Sequence, residues 1–309
     1  MRRKDCYLAL SLCFALGAAV VLTSCGGPEP APTRPAPTGG GGTAAACPNH
    51  DSHDAARERM FAEPEPPNMA KAVVTDPAFG QRAVTGYIED GRIIYQGDII
   101  VAERVDSTQP FSMVVKGRRW PNGDVPYVID PSLPDRGRAL QAIAHWEQHT
   151  PIRFPQYDPA RHRNYIRIVP GPSSGACASA VGMSRGQQRV HLAPGCGFGQ
   201  VLHELGHAVG LWHEQSRIDR DAHVCILWEN VNSRFRHNFD QQTSNGIDVG
   251  PYDYDSIMHY EARAFSVNGR PTIHPLRAGA RVGQRSRLSQ GDIAAIRKVY
   301  TGIAPADRF

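Results

Sequence analysis

Apolar and polar positions along the chain fall into distinct regimes. Cys6 to Leu22 is an uncharged apolar run behind Arg2, Arg3 and Lys4. From Gly26 to about Asn68, apolar residues thin out among Pro, Gly, Ala and Thr, with Pro28, Pro30, Pro32, Pro35, Pro37 and glycines at 39–42. Such a stretch cannot bury a core and reads as a disordered tether. Between Val73 and Lys116 short β-like runs predict strands at 83–88, 92–95 and 99–101. Glu89-Asp90-Gly91 and Gln96-Gly97-Asp98 are the turns between them. This piece is too short for a core of its own and is expected to lie on the domain C-terminal to it. Beyond Trp120, 125–129 and 164–169 predict strands, and 190–192 a strand at the edge of a cleft. Pro134–His149 predicts an amphipathic helix with Leu140, Ile143, Ala144 and Trp146 as its apolar side. A second helix, about Gly199–Val209, packs inward through Val201, Leu202, Leu205, Ala208 and Val209.

The second helix carries chemistry. His203 and His207 are four residues apart, so they share one helix face with Cβ atoms about 5–6 Å apart. Two neutral imidazoles there can bind one Zn²⁺. Glu204 stands beside that position, where a general base for metal-bound water belongs. Gly210 can end the helix with positive φ and turn the chain, letting His213 return as a third ligand. Three protein ligands leave a position open for water, the catalytic pattern. Chance at about 1/20 per position over the chain gives His, Glu, His, Gly, His and Glu214 at this spacing on the order of 10⁻⁵, so satisfied core histidines are the poorer reading. His145 and His149 are also four apart, but Glu147 lies between them at the wrong offset and no third ligand is placed after them, so an exposed helix face is expected.

Length, charge and cysteines narrow the class. The chain has 309 residues and a net charge of +4, enough for one or two domains. Its basic residues are not clustered like a nucleic-acid footprint, so no nucleic-acid partner is expected. The 7 cysteines show no paired Cys-x-x-Cys spacing. Leu22-Thr23-Ser24-Cys25 closes the apolar run and resembles a bacterial lipobox, implying cleavage before Cys25, its acylation and a membrane anchor. An uncleaved signal anchor and an ordinary signal peptide are the alternatives. All three export the chain, which makes disulfides possible.

The run from His203 to Glu214, with Ser256-Ile257-Met258-His259-Tyr260 downstream, resembles the metzincin signature and Met-turn of the astacin family. Trp120-Pro121-Asn122-Gly123-Asp124-Val125-Pro126-Tyr127 and 213–221 are similar to that family as well, and 283–293 to its tolloid branch. The resemblance spans Trp120 to about Tyr300. It implies an α+β metzincin-like fold. One subdomain would hold a mixed twisted sheet and two long helices, including the zinc helix. The other would be largely irregular with a C-terminal helix. It implies a zinc endopeptidase with one Zn²⁺ per chain on His203, His207 and His213, and Glu204 as base. Tyr260 would ligate at rest and swing to the oxyanion, and Met258 would form an apolar floor. Glu214 would hold the new N-terminus after activation, and His259 would be structural. From the residues themselves, Arg217, Asp219, Arg220 and Asp221 are expected to form structural salt bridges, and Leu211 and Trp212 to pack under the turn. Arg285 or Arg287 would line the S1′ pocket.

Tyr95-Gln96-Gly97-Asp98 resembles the Phe-x-Gly-Asp motif of astacin propeptides, with Tyr95 replacing Phe, and implies Asp98 as a latency switch. Cys177–Cys196 matches one family disulfide, while both partners of the other, near Thr150 and after Tyr300, are missing. Cys47 and Cys225 are left over; a bond would tie tether to enzyme, but Cys225 is expected as a buried free thiol. The expected organisation is signal peptide 1–24, tether 25–68, propeptide 69–119 and catalytic domain 120–309. Cleavage near Arg118-Arg119 is expected to activate and release a monomeric enzyme acting on proteins or peptides. An inert zinc-fold adhesin and a zinc hydrolase of cell-wall peptides are the rival readings.

Overall fold

Runs of β-branched residues, with Tyr87 and Tyr95, build the N-terminal strands. The computed structural model describes residues 47, 55–59, 68–76, 80–102, 114–115, 119–172, 177–242 and 246–301. The first strands are β1 (Met69–Asp76), β2 (Gly80–Glu89), β3 (Arg92–Tyr95), β4 (Ile99–Ala102) and β5 (Val114–Val115). β1 to β4 form an antiparallel meander, and β5 runs parallel to β1. The predicted runs are all present, and β1 is an addition. Only Val73, Val74 and Thr75 of its eight residues favour a strand, and pairing along its whole length with β2 extends it to Met69.

The next strands are β6 (Tyr127–Ile129), β7 (Tyr165–Pro170), β8 (Ala178–Ser179) and β9 (Gln187–Leu192). β6, β7 and β9 are parallel, with Ile129 opposite Ile168 and Ile168 opposite Val190. β8 runs antiparallel to β9 and is joined in parallel by β4 through Ile99 and Ser179. The whole sheet therefore reads β5-β1-β2-β3-β4-β8-β9-β7-β6. This corrects one expectation: 190–192 lies inside the sheet, and β8 is the edge of the later strands, covered by β4. A two-residue strand carries too little periodicity to be read from sequence.

Helices α1 (Arg136–His149) and α2 (Phe198–Val209) pack against the sheet. Their shared core holds Ala139, Ala142, Ile143, Trp146, Val201, Leu202, Leu205 and Ala208 with Ile166, Ile168 and Val190. The buried face of α1 includes Ala139 and Ala142 at helical spacing from Ile143 and Trp146; Leu140, expected inside, is 47% exposed, and Ala144 is exposed as well. Trp146 Nε1 donates to Leu202 O at 3.1 Å, which fixes α1 against α2.

The described residues beyond α2 form a second region of short turns, in which β10 (Val224–Ile226) pairs with β11 (Ile273–Pro275). Its core is aromatic: Trp228, Phe239, Tyr252, Tyr254 and Tyr260. Helix α3 (Gln290–Thr301) returns to the first core through Ile293, Ile296 and Tyr300. The expected α+β division is thus observed. No described helix is long and apolar enough to cross a membrane. Cys25 and the apolar run before it lie outside the described residues.

Candidate active site

Helix α2 buries every residue from Val201 to Val209, so its histidines sit on a rigid support. Gly210 ends it with φ of 115°, and its N–H donates to Gly206 O and His207 O. The turn this permits carries the chain to His213. Nε2 of His203 and Nε2 of His213 then lie 3.3 Å apart. Asp98 enters from between β3 and β4. Its carboxylate lies 3.2 Å from His203 Nε2, 3.5 Å from His207 Nε2 and 3.1 Å from His213 Nε2. One donor atom from each of the four residues falls within 4.8 Å of every other.

This donor set fits zinc. Three imidazole nitrogens and a carboxylate oxygen are its usual ligands. Outside this cluster, His207 Nε2 and Asp98 Oδ1 are buried and find no hydrogen-bond partner among the described residues, as expected of atoms aimed at a cation. The other ring nitrogens are engaged: His203 Nδ1 meets Ile257 O at 2.8 Å, His207 Nδ1 meets Leu211 O at 2.9 Å, and His213 Nδ1 meets Gln96 Oε1 at 3.1 Å. Those contacts orient Nε2 inward, the usual supporting arrangement around a metal. Burial would raise the Asp98 carboxyl, but His213 and hydrogen bonds to the three imidazoles hold it well below the usual range.

Glu204 is buried, and its Oε2 has no partner among the described residues. Burial, and then the Asp98 charge, pushes its carboxyl well above the ordinary value. Met258 Sδ lies against Gly206 on α2, with space for no Cβ there. His259 is fully engaged, with Nε2 2.8 Å from Tyr252 OH and Nδ1 2.7 Å from Tyr260 O, which agrees with a structural role. Tyr260 stacks obliquely on His213 with ring centroids 4.6 Å apart, and its hydroxyl donates to Gln96 O.

The family model for astacin, a family of peptidases, matches residues 112–301. The chain belongs to the astacin family. It is 41% identical over 189 residues to zinc metalloproteinase nas-4 of Caenorhabditis elegans, covering 59% of either protein. It is 36% identical over 236 residues to the astacin-like metalloendopeptidase of Mus musculus, covering 72% of this chain and 52% of that protein. The chain thus spans a little over half the length of these curated relatives. Among solved structures it is similar to high choriolytic enzyme 1, a hatching enzyme zinc-protease from Oryzias latipes. That match has a TM-score of 0.54 at 33% identity, covering 60% of this chain and 94% of the other. The fold is that of a metzincin, and the cofactor the astacin family implies is Zn²⁺.

The remaining positions expected from the astacin family divide into buried and exposed groups. Glu214 is half-buried, accepts Asp253 N–H at 2.7 Å and lies 3.6 Å from Arg217; desolvation pushes its carboxyl up to about 8. Arg217 pairs with Asp219 and Arg220 with Asp221, as structural ion pairs. Arg285 donates to Ile257 O and His259 O at 3.0 Å, whereas Arg287 is exposed and pairs with Asp255. The structure therefore separates two residues that sequence had grouped. His145 Nε2 accepts Leu288 N–H at 3.3 Å, and the pair with His149 belongs to no metal-type cluster among the described residues. Trp212 packs on Tyr95, Ile93 and Val101 of the N-terminal strands; only Leu211 joins the core beneath the turn.

Cys177 and Cys196 are bonded as expected. Cys225 is not a free thiol: it is bonded to Cys47, 178 residues away. Sequence could not bring them together, because composition said only that the Pro-rich stretch lacks a core. That stretch nevertheless places a helical turn at 55–59, with Ala56 in the aromatic cluster beside Trp228. The residue sequence reasoning missed is Gln96. Its side chain bridges His213 Nδ1 and Asp240 O, and its carbonyl receives Tyr260 OH. Its place next to Gly97-Asp98 was the available signal. Tyr95 compensates for the missing Phe: its ring packs on Trp212, and its hydroxyl accepts from Gln242 Nε2 at 2.6 Å.

Proposed function

We propose that the chain is the latent precursor of an exported zinc endopeptidase that hydrolyses proteins or peptides. The observation that carries this reading is the Asp98 carboxylate lying against all three imidazole Nε2 atoms. Three histidines alone would leave a coordination position for water, and the carboxylate takes it. Gly97 makes the entry possible. Its φ is 81°, and a Cβ there would lie 2.6 Å from Phe265 Cζ. We read 69–119 as the propeptide and 120–309 as the catalytic domain, with Cys25 as the lipid anchor of a monomer on the membrane or cell surface.

Bound on His203, His207 and His213, Zn²⁺ would supply Lewis-acid polarisation of the scissile carbonyl and a lowered pKa for water. The chain's own residues do the rest once Asp98 leaves. Glu204, buried and raised in pKa, takes the proton of the attacking water and passes it to the leaving amine. Tyr260, released from Gln96 O, donates its O–H to the developing oxyanion. Met258 holds the ligand helix in place through Gly206. Glu214 is the group to receive the new N-terminus. Arg285, within the field of Glu204 and Asp98, is the better of the two S1′ candidates for favouring an acidic residue after the cut.

The test of latency is Asp98→Ala in the uncleaved chain, assayed on casein with and without phenanthroline. Phenanthroline-sensitive hydrolysis without cleavage supports the switch; an uncleaved variant as silent as the parent removes it. A fully trimmed enzyme that is silent on casein while holding zinc would favour the adhesin reading.

A further inference from the structure

We infer that the propeptide remains covalently attached to the catalytic domain after activation cleavage, and that thiol reduction rather than proteolysis separates the two. The inference rests on the latency reading above, but on different residues.

Asp98 and Gln96 hold the N-terminal strands at the cleft, through contacts that cleavage is meant to loosen. The second hold lies elsewhere. Cys47 is bonded to Cys225 on β10, with Cα atoms 5.7 Å apart. Cys225 is 3% exposed. The helical turn at 55–59 packs on the same region of the chain: Ala56 is buried with Val224, Ile226 and Trp228, and the Arg57 guanidinium lies 5.9 Å from the centroid of the Trp228 ring. A disulfide at Cys47, and an apolar contact and a cation–π contact from the turn at 55–59, thus join these residues to the catalytic domain. None of them involves the ligands of the active site.

Any cut between 103 and 119 leaves Cys47 on one piece and Cys225 on the other, still joined. Cys25 lies on the Cys47 piece, so an acylated chain cut there stays on its membrane. Activation and release are therefore two events, not the single one expected from Arg118-Arg119 alone. Release needs a dithiol reductant. Its thiolate attacks the Cys47 sulfur, the less buried of the pair, and Cys225 leaves as a thiolate that takes a proton. The second thiol of the reductant then displaces Cys47. Two electrons and two protons pass to the protein, and the reductant becomes a disulfide. Cys177 and Cys196 both lie on the catalytic side of the cut, so their bond joins no separate piece.

The experiment uses the full exported chain, nicked by limited trypsin treatment, with fragments identified by N-terminal sequencing and free thiols blocked by iodoacetamide. Samples cut between 103 and 119 are run on denaturing gels with and without dithiothreitol. The linked wild type should migrate as one species without reductant and as two with it, and Cys47→Ser as two in either lane. Wild-type fragments that separate without reductant overturn the inference. The wild-type lanes decide the matter even where Cys47→Ser fails to fold. Casein hydrolysis on the same samples keeps the two readings apart. A linked, cut sample with no gain in activity counts against latency alone, and separated fragments with a gain count against retention alone.

Discussion

His203 and His213 point the same ring nitrogen at the same place, yet different physics puts each one there. His203 belongs to a helix whose apolar residues pack into one continuous core with α1 and the sheet. Its position follows from periodicity and burial. His213 belongs to a chain of turns, and polar side chains hold that wall by pairing with backbone. Asp292 accepts Ser256 Oγ at 2.7 Å and Ile257 N at 2.9 Å; Gln215 Oε1 accepts Tyr260 N at 3.0 Å; Arg220 donates to Phe239 O at 2.7 Å. Irregular backbone that is buried must find such partners, because an unpaired group costs about 1–3 kcal/mol. One wall is therefore held by shared apolar packing, and the other by hydrogen bonds from particular polar side chains. The His213 Nδ1 partner is even borrowed from the N-terminal strands.

The largest effect expected lies on the helix wall. Glu204→Gln should lower kcat/KM by about 10³-fold or more, since it removes the proton acceptor we propose. Zinc measured by elemental analysis should stay at the parent level, because the ligands are untouched; activity within about tenfold of the parent would take the base role from Glu204. Next comes Trp146→Ala, which opens a cavity between α1 and α2 and loses the bond to Leu202 O. It should cost about 4 kcal/mol in denaturant unfolding. On the other wall, Asp292→Ala strands the donors of Ser256 and Ile257 and should cost about 3 kcal/mol. It should also weaken zinc binding, since Ile257 O is the partner of His203 Nδ1. Equal zinc affinity in parent and variant would show that the turn wall does not steer the ligand.

The same contrast decides what could be read from the chain. Helix α2, its cap at Gly210 and the placement of His203 and His207 on one face were legible because spacing on a helix is geometry. His213 was legible from the turn that Gly210 permits, whereas Met258 and Tyr260 were legible only through resemblance, since no period links them to the site. Leu140 shows the limit of amphipathic reading: a rotation of about one residue along α1 exchanged Ala139 and Ala142 for Leu140 and Ala144. The edge strand β8 and the Cys47–Cys225 bond depend on contacts far apart in sequence. Gln96 was passed over because its importance comes from what it meets, His213, Asp240 and Tyr260, not from its own type.

Tyr260→Phe probes the turn wall at its functional end. The variant keeps the ring on His213 and loses the hydroxyl that donates to Gln96 O. In cleaved enzyme kcat should fall by about 10²-fold with KM little changed, the mark of an interaction made only in the transition state. A change confined to KM would assign the hydroxyl to substrate binding instead.

The smallest effect concerns acid. His237 lies in the turn wall, buried, and neither ring nitrogen finds a partner among the described residues. Burial, with Arg236 adding to it, lowers its pKa to about 4. The unfolded chain, with a pKa near about 6.5, binds the proton first. Stability from a neutral His237 is thus fully present above about pH 6.5 and is lost as pH falls toward about 4. Between about pH 6.5 and pH 5 the loss should be about 2 kcal/mol. His237→Phe keeps a ring in the site and removes the titration, so its unfolding free energy should fall less steeply over that interval. Parallel slopes for parent and variant would mean that another group sets the acid sensitivity of this wall. A helix wall with the same slope as the turn wall, measured by hydrogen exchange of α2 amides, would mean that the two unfold as one unit and that their different construction does not give them separate stabilities.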